Sequence, residues 1–253
     1  MSVLDLQEPL YRKAQRSAWR RAVEPSDDEV ARLQLDRLPA GAREAAFARF
    51  VGDVGGAATD VLSAVATRLG SEPAAARELL SSFLVARRLD DLAASLACDV
   101  APLEFFPRAF LQPIAEALVT GTAALGGNQE SSRRTSCSRC GSPPLLAVLR
   151  DEPEVTGRRL LRCSLCSSEW SFLRGRCPAC GEERPDELSY HVSDVWPHVR
   201  VEGCGSCRTY LKAIDLRMDG NAVPEVDELA AVELDLWAEA QELTKLQKNV
   251  LGL

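Results

Sequence analysis

Cys137-Ser-Arg-Cys140-Gly141-Ser-Pro-Pro144 opens a series that continues with Cys163-Ser-Leu-Cys166, Cys177-Pro-Ala-Cys180-Gly181 and Cys204-Gly-Ser-Cys207. Two residues between cysteines let one tight turn present both sulfurs to a single ion, and two such turns complete a tetrahedron. Soft thiolates suit zinc or iron rather than calcium or magnesium. The series therefore predicts two metal ions, iron or zinc, each bound by four cysteines. The ligands are Cys137, Cys140, Cys163, Cys166, Cys177, Cys180, Cys204 and Cys207. Redox-active Cys-x-x-Cys pairs rarely come in fours, so thiol exchange is the weaker reading.

The spacing suggests an internal duplication. Twenty-two residues separate Cys140 from Cys163, and twenty-three separate Cys180 from Cys204. Each gap fits a hairpin that returns the chain to its start. This pairs Cys137/Cys140 with Cys163/Cys166, and Cys177/Cys180 with Cys204/Cys207. An interleaved arrangement, first pair with third and second with fourth, stays open. Only ten residues part Cys166 from Cys177, so the two sites are expected to be neighbours. Gly141 and Gly181 follow their knuckles, where glycine tolerates a tight turn. Ser167 and Arg208 hold the equivalent places and call for a different accommodation. A shell of four sulfurs leaves no position for water or substrate, which argues against a Lewis-acid hydrolase. Small ribbons of this kind use metal as folding energy.

The whole 253-residue chain is 46 % hydrophobic and 26 % charged, with a formal charge of -7. The acidic total disfavours a dedicated nucleic-acid binder. Met1 to Arg21 carries no apolar targeting segment. The most apolar run, Leu103 to Leu118, is interrupted by Glu104, Arg108, Gln112 and Glu116, so no membrane insertion is expected. A cytoplasmic protein follows, in which structural disulfides are disfavoured. Cys98, apart from the series, reads as a small buried hydrophobe.

Fold class α+β is predicted: a helical N-terminal domain, tandem zinc-ribbon modules and a C-terminal helix. Residues 1–130 form the helical domain with its linker, 131–170 the first four-cysteine ribbon, 171–218 the second, and 219–253 the C-terminal helical segment. Four to six helices are expected in the first domain. Ser26-Asp-Asp-Glu29 reads as a capping box. Gly52, Gly55 and Gly56 read as weakening or breaking a helix that begins near Ala42. One long helix is expected from Pro73 to about Cys98. Pro107 and Pro113 cast doubt on another. Gly121 to Thr135 reads as a linker. Strands are expected at Leu145–Leu149, Val155–Leu161, Tyr190–Val195, Val199–Val201 and Leu211–Leu216. A single helix from Val226 to Leu243 is expected to turn Asp227, Glu228, Glu233, Asp235, Glu239 and Glu242 toward solvent.

Arginine crowds the first ribbon: Arg133, Arg134, Arg139, Arg150, Arg158, Arg159, Arg162, Arg174 and Arg176, against Asp151, Glu152, Glu154 and Glu169. These cations offset thiolate charge or meet a phosphate, nucleic acid or acidic protein. His191 and His198 are not needed as ligands. Trp170 and Trp196 are expected to shield the ribbons, and Tyr210 to cover a sulfur. No Cys–His or Ser–His–Asp arrangement is legible.

The order of the knuckles resembles the formate dehydrogenase accessory protein family. The resemblance is carried by Cys137-x-x-Cys140-Gly141-Ser-x-Pro144, Gly157-x-Arg159, Leu161-x-Cys163-Ser164-Leu165-Cys166 and Trp170-x-x-x-Arg174-x-x-Cys177-x-x-Cys180-Gly181. Glu202-x-Cys204-x-x-Cys207-x-x-Tyr210-Leu211-Lys212 and Asp227 to Trp237 complete it. It covers about residues 137–240, with Ser138 where relatives often have proline. The resemblance implies rubredoxin-like modules and a cytoplasmic maturation factor. Such a factor is a chaperone that binds the formate dehydrogenase catalytic (alpha) subunit without oxidising formate itself. Homodimerisation is an open alternative assembly. A rubredoxin-like iron redox protein acting on the client and a zinc-ribbon nucleic-acid-binding protein are the competing readings.

Overall fold

The structure, a computed structural model, describes residues 3–16, 33–58, 60–119, 133–249 and 252. The expected capping box at Ser26 and nearly all of the expected linker lie outside these residues. The chain divides into two compact units, Met1–Thr122 with Val250–Gly252, and Ala123–Asn249 with Leu253.

The first unit is helical: α1 (Val3–Arg16), α2 (Ala40–Ala57), α3 (Asp60–Ser71), α4 (Pro73–Leu84), α5 (Asp90–Ser95) and α6 (Val100–Val119). Its core centres on α6, where Leu103, Phe106, Phe110, Leu111 and Ile114 are fully buried. Phe110 meets Phe47 edge-on at 5.2 Å and Phe50 at 5.8 Å, tying α2 to α6. The two prolines expected to disturb this helix are accommodated. Pro113 cannot donate to the carbonyl of Ala109, and the Gln7 side-chain amide of α1 donates to that carbonyl instead, at 2.8 Å.

Two expectations fail here for local reasons. The glycines do not break α2. A Cβ on Gly55 would lie 2.8 Å from the Ala66 Cβ, so glycine there permits close approach of α2 and α3. The long helix through Cys98 is in fact α4 and α5. Ala86 ends the first with φ +52°, and the Arg87 N–H donates to Ser82 at 2.9 Å. Ala97 repeats the device at φ +48°, with the Cys98 N–H donating to Ala93 at 3.0 Å. These are left-handed C-terminal caps built without the glycine that would announce them. Cys98 is half-buried rather than buried.

Among the described residues, the second unit holds seven strands: β1 (Pro144–Glu152), β2 (Val155–Cys163), β3 (Glu169–Ser171), β4 (Leu188–Val192), β5 (Val199–Cys204), β6 (Thr209–Asp215) and β7 (Thr244–Lys245). The two ribbons are not separate sheets. β1 runs parallel to β6, with Ala147 opposite Ala213, and the order is β3-β2-β1-β6-β5-β4, with β7 beside β6. Successive side chains face opposite sides. On one face Ala147, Leu149, Leu161, Leu211 and Ala213 gather around Phe172. On the other, Val199, Val201, Tyr210 and Ile214 pack against Ala231, Leu234 and Ala238.

The C-terminal segment corrects the sequence reading. The expected single helix is α7 (Pro224–Ala230) and α8 (Val232–Ala240), separated by non-helical Ala231, followed by β7. The break changes which residues face inward. Glu228 and Asp235, assigned to a solvated side, are buried, whereas Val226 and Leu236 are each 59 % exposed. The buried carboxylates meet two ammonium groups from the sheet. Lys212 lies 2.7 Å from Asp235 and 3.2 Å from Glu228. Lys245 contacts Glu228 and lies 2.9 Å from Asp235. Two charges of each sign therefore balance in a space closed to water, the condition under which burial of ions is tolerable.

Candidate metal centres

Each centre grows from a strand pair that closes on two turns. In the first, Pro144 follows one knuckle and pairs with Cys163, which begins the next. In the second, Leu188 pairs with Cys204. A hairpin thereby returns each second knuckle to the first. Cys137, Cys140, Cys163 and Cys166 form one group, and Cys177, Cys180, Cys204 and Cys207 the other, with the sulfurs of each group within 4.8 Å of one another. The sequential pairing is thus the one the fold makes, and the interleaved alternative is not.

The sulfurs stand 3.6 Å apart for Cys137 and Cys166, and 3.3 Å for Cys140 and Cys163. The corresponding separations in the second centre are both 3.7 Å. A disulfide needs about 2.0 Å. A tetrahedron of metal–sulfur bonds near 2.3 Å has edges of roughly 3.8 Å. The donor set and its dimensions therefore fit zinc or iron, which both take four thiolates in this geometry.

The turns supply polar support to the sulfurs. Backbone N–H groups of Arg139 and Leu165 each reach the first sulfur of their knuckle at 3.4 Å, and that of Ala179 does so at 3.3 Å. Such donors stabilise negative charge on a ligand. After the second cysteine, Gly141 and Gly181 have φ of +81° and +82°. Ser167 and Arg208 take the same left-handed turn, at +54° and +56°, and so need no different accommodation. They bear the steric cost glycine avoids, roughly 1–2 kcal/mol.

The thiols also oppose one another as acids. Contacts with Cys140, Cys163 and Cys166 hold Cys137 below the usual thiol range, whereas contact with Cys137 raises Cys163 and Cys166. Burial pushes Cys177 up to about 12 and also raises Cys204. Four sulfurs so close cannot all carry charge without a cation, so metal entry displaces their protons.

The surroundings resolve several other expectations. Most of the arginines near the first centre pair with carboxylates of the chain itself. Arg150 and Arg162 flank Glu169 at 2.7 and 3.2 Å, and Arg158 contacts Glu152. Arg159 meets Glu202 at 2.6 Å, Arg162 meets Glu225, and Arg176 and Arg133 meet Glu183. Three of these acids, Glu183, Glu202 and Glu225, arrive from beyond the first ribbon, which counting acids within it could not anticipate. Tyr210 does not cover a sulfur with its hydroxyl, which donates to Asp235 at 2.8 Å. His191 stacks on Trp237 at 3.6 Å, and neither histidine joins a thiol group. Trp170 donates to the Arg134 carbonyl at 2.9 Å, and Trp196 packs beside the second core cluster. Among the described residues, no helix is long and apolar enough to cross a membrane.

Comparison with known proteins follows this architecture. Residues 120–174 match the family model "FdhE, central domain", and residues 176–251 match "FdhE, C-terminal domain". A protein of Aquifex aeolicus named "Protein FdhE homolog" is 36 % identical over 174 residues, which cover 69 % of this chain and 57 % of that one. A protein of the same name from Pseudomonas aeruginosa is 37 % identical over 130 residues, or 50 % of this chain and 42 % of the relative. The matched region thus spans about half the length of these curated relatives. The crystal structure of the FdhE protein from Pseudomonas aeruginosa superposes with a TM-score of 0.63 and 24 % identity, covering 98 % of this chain and 86 % of that one. That likeness concerns the fold.

Proposed function

The chain belongs to the FdhE family, and from that premise we propose that it is an accessory factor for formate dehydrogenase maturation. In this reading it binds the catalytic (alpha) subunit of the enzyme in the cytoplasm and is needed for that subunit's activity. It does not oxidise formate itself.

The observation that carries the reading is the pair of four-cysteine groups joined by one sheet. Metal bound there supplies folding energy and, as iron, a one-electron couple. The chain's own residues do the rest. Cys163 and Cys204 end strands that pair with the start of their own modules, so each shell fixes its hairpin. The parallel contact of β1 with β6 then holds the two sets of turns on one rigid frame. Four sulfurs per ion leave no place for substrate, which suits recognition better than Lewis-acid catalysis.

Affinity capture with the separately produced catalytic subunit tests this reading. Retention of the subunit is expected, with loss after the double change Cys177→Ser and Cys180→Ser. Equal capture by that variant would sink the role assigned to the second centre. Metal quantification with an optical spectrum separates the iron redox reading, for which bound zinc alone is fatal. The nucleic-acid reading is weakened by the pairing of most arginines of the first ribbon with carboxylates of the same chain.

A further inference from the structure

The sheet of the second unit ends at β4, and that edge is bare. Among the described residues no strand lies beyond it. The Gly205 N–H donates to the Glu187 carbonyl at 2.7 Å. Backbone direction alternates along an antiparallel pair, so Ser189 and His191 turn their N–H and C=O groups to β5, and Leu188, Tyr190 and Val192 turn theirs outward. The Leu188 N–H bends back to the Pro185 carbonyl. The Leu188 carbonyl and both backbone groups of Tyr190 and Val192 have no partner among the described residues.

Edge strands are usually defended by charge, proline or a bulge. β3, at the other edge, has only three residues and carries Glu169 in two ion pairs. β4, Leu-Ser-Tyr-His-Val, has no lysine, acid or proline, and its register with β5 is unbroken. Instead Tyr190 and Val192 are 55 % and 52 % exposed, and Val195 just beyond is 67 % exposed. An open ladder flanked by apolar side chains is the surface that accepts an added strand.

The surrounding charge selects the occupant. Arg159 and Arg200 share Glu202, and Arg184 stands between Glu182 and Glu187. The surplus cation of the first group offsets the surplus anion of the second. Three exposed carboxylates remain: Asp186 before the strand, Asp194 after it, and Glu233, which accepts from Ser193 at 2.6 Å. None of them forms an ion pair among the described residues. Arg133 and Arg176 on Glu183 leave one further cation, too few to reverse the sign. Two copies of this edge would bring these carboxylates together, so the charge disfavours self-pairing and favours a cationic partner.

We propose that the outer edge of β4 receives an extended segment of a protein partner, apolar at its centre and bearing lysine or arginine at both ends. The added strand bonds to the outward groups of Leu188, Tyr190 and Val192. Its apolar side chains lie along Tyr190 and Val192, beside the shallow depression that Leu188 and Tyr190 share with Pro178 and Ala179. Its end cations meet Asp186 on one side, and Asp194 with Glu233 on the other. The proposal says how a client is held, and in that it rests on the accessory reading above.

The test uses the metal-loaded, full-length protein and a heptapeptide of alternating threonine and valine with a lysine at each end. The Tyr190 and Val192 amides should exchange with solvent rapidly in the free protein and at least about tenfold more slowly at saturation, the mark of a new backbone ladder. A glutamate-ended peptide should bind at least about tenfold more weakly at low ionic strength. A fully N-methylated peptide, which cannot donate, should not bind. Val192→Pro removes an N–H that the sheet itself does not use. It should weaken binding about tenfold, with metal content and far-ultraviolet spectrum unchanged. The N-methylated peptide asks the same question of the unmodified protein. Equal affinity for lysine- and glutamate-ended peptides, retained binding of the N-methylated peptide, or no protection at Tyr190 and Val192 overturns the proposal. So does self-association of the free protein that protects the same amides. Unchanged capture of the catalytic subunit by a Val192→Pro protein that has lost the peptide also overturns it, and leaves the accessory reading standing. No capture by the unmodified protein overturns that reading instead, while the peptide results still judge the edge.

Discussion

The two thiolate centres share ligands, turns and hairpin logic, yet differ in shelter. In the first, Cys137, Cys163 and Cys166 are buried and Cys140 is half-buried. In the second, Cys177 and Cys204 are buried, Cys207 is half-buried and Cys180 is exposed. Tetrahedral geometry does not require equal protection. The first group lies at the end of the β1–β2 hairpin, whose neighbour β3 carries Glu169 paired with Arg150 and Arg162. The second stands at the side of the sheet occupied by β4 and β5, and its module carries the buried lysine–carboxylate cluster instead. One module is thus braced around its metal, and the other behind it.

Ligand removal is the strongest way to break that comparison. Structural tetrathiolate zinc contributes on the order of 10 kcal/mol to small domains. Cys163→Ser removes a buried ligand that is also a strand residue. It should cost one equivalent of metal and most of the far-ultraviolet strand signal of the second unit. Cys180→Ser should cost one equivalent and leave the sheet largely intact. Equal unfolding in both variants would mean that shelter does not rank the sites. A chromophoric chelator sharpens the point in the unmodified protein. Release should be biphasic, and thiol alkylation during the fast phase should fall on Cys180 first.

The lysine–carboxylate cluster ranks next. Removing one member of a buried ion group leaves the others uncompensated, at about 3–5 kcal/mol. Lys212→Met should therefore lower unfolding stability by that amount and loosen the C-terminal helices, measured by denaturant titration and amide exchange. A neutral outcome would mean that the second module has no such brace.

How far the sequence spoke follows from this contrast. The eight cysteines, their pairing and their hairpins were legible because Cys-x-x-Cys spacing is a local constraint. The C-terminal brace was not. Glu228 and Asp235 look like any acidic helix face until Lys212 and Lys245 are brought to them from β6 and β7. The joining of the ribbons was equally hidden, since β1 and β6 lie far apart in sequence and parallel pairing leaves no turn to announce it. Helix ends at Ala86 and Ala97 escaped notice because tertiary packing holds a left-handed turn without glycine.

The contact between modules makes a smaller and pH-dependent prediction. Burial alone would raise the Glu202 carboxyl, but Arg159 and Arg200 outweigh it and hold it below the usual carboxylate range. A carboxylate depressed on folding stabilises above its unfolded value, near 4.3, and that contribution disappears as pH falls through the lower, folded value. Glu202→Gln should thus cost about 2 kcal/mol at neutral pH. The gap to the parent should shrink as the solution is acidified below pH 4. Comparing the two proteins at each pH removes the common effect of metal loss. A gap that persists unchanged in acid would show that the Arg159–Glu202 contact ties the modules by packing rather than charge.

The smallest expected effect concerns the turns themselves. Gly181 and Ser167 occupy equivalent places in different centres, both left-handed, at φ +82° and +54°. Only the serine has a Cβ to crowd the following carbonyl. Ser167→Gly should stabilise the first centre by up to about 1 kcal/mol, less whatever its hydroxyl contributes. Gly181→Ala should destabilise the second by a similar amount, because φ +82° strains any side chain and the new Cβ would displace the head of Arg176, 2.8 Å away. Thermal unfolding of the metal-loaded proteins measures both. Opposite signs are expected, since the same backbone turn is being relieved of a side chain in one centre and given one in the other. Matching signs would mean that the neighbours of each turn, and not its left-handed backbone, decide what residue follows the knuckle.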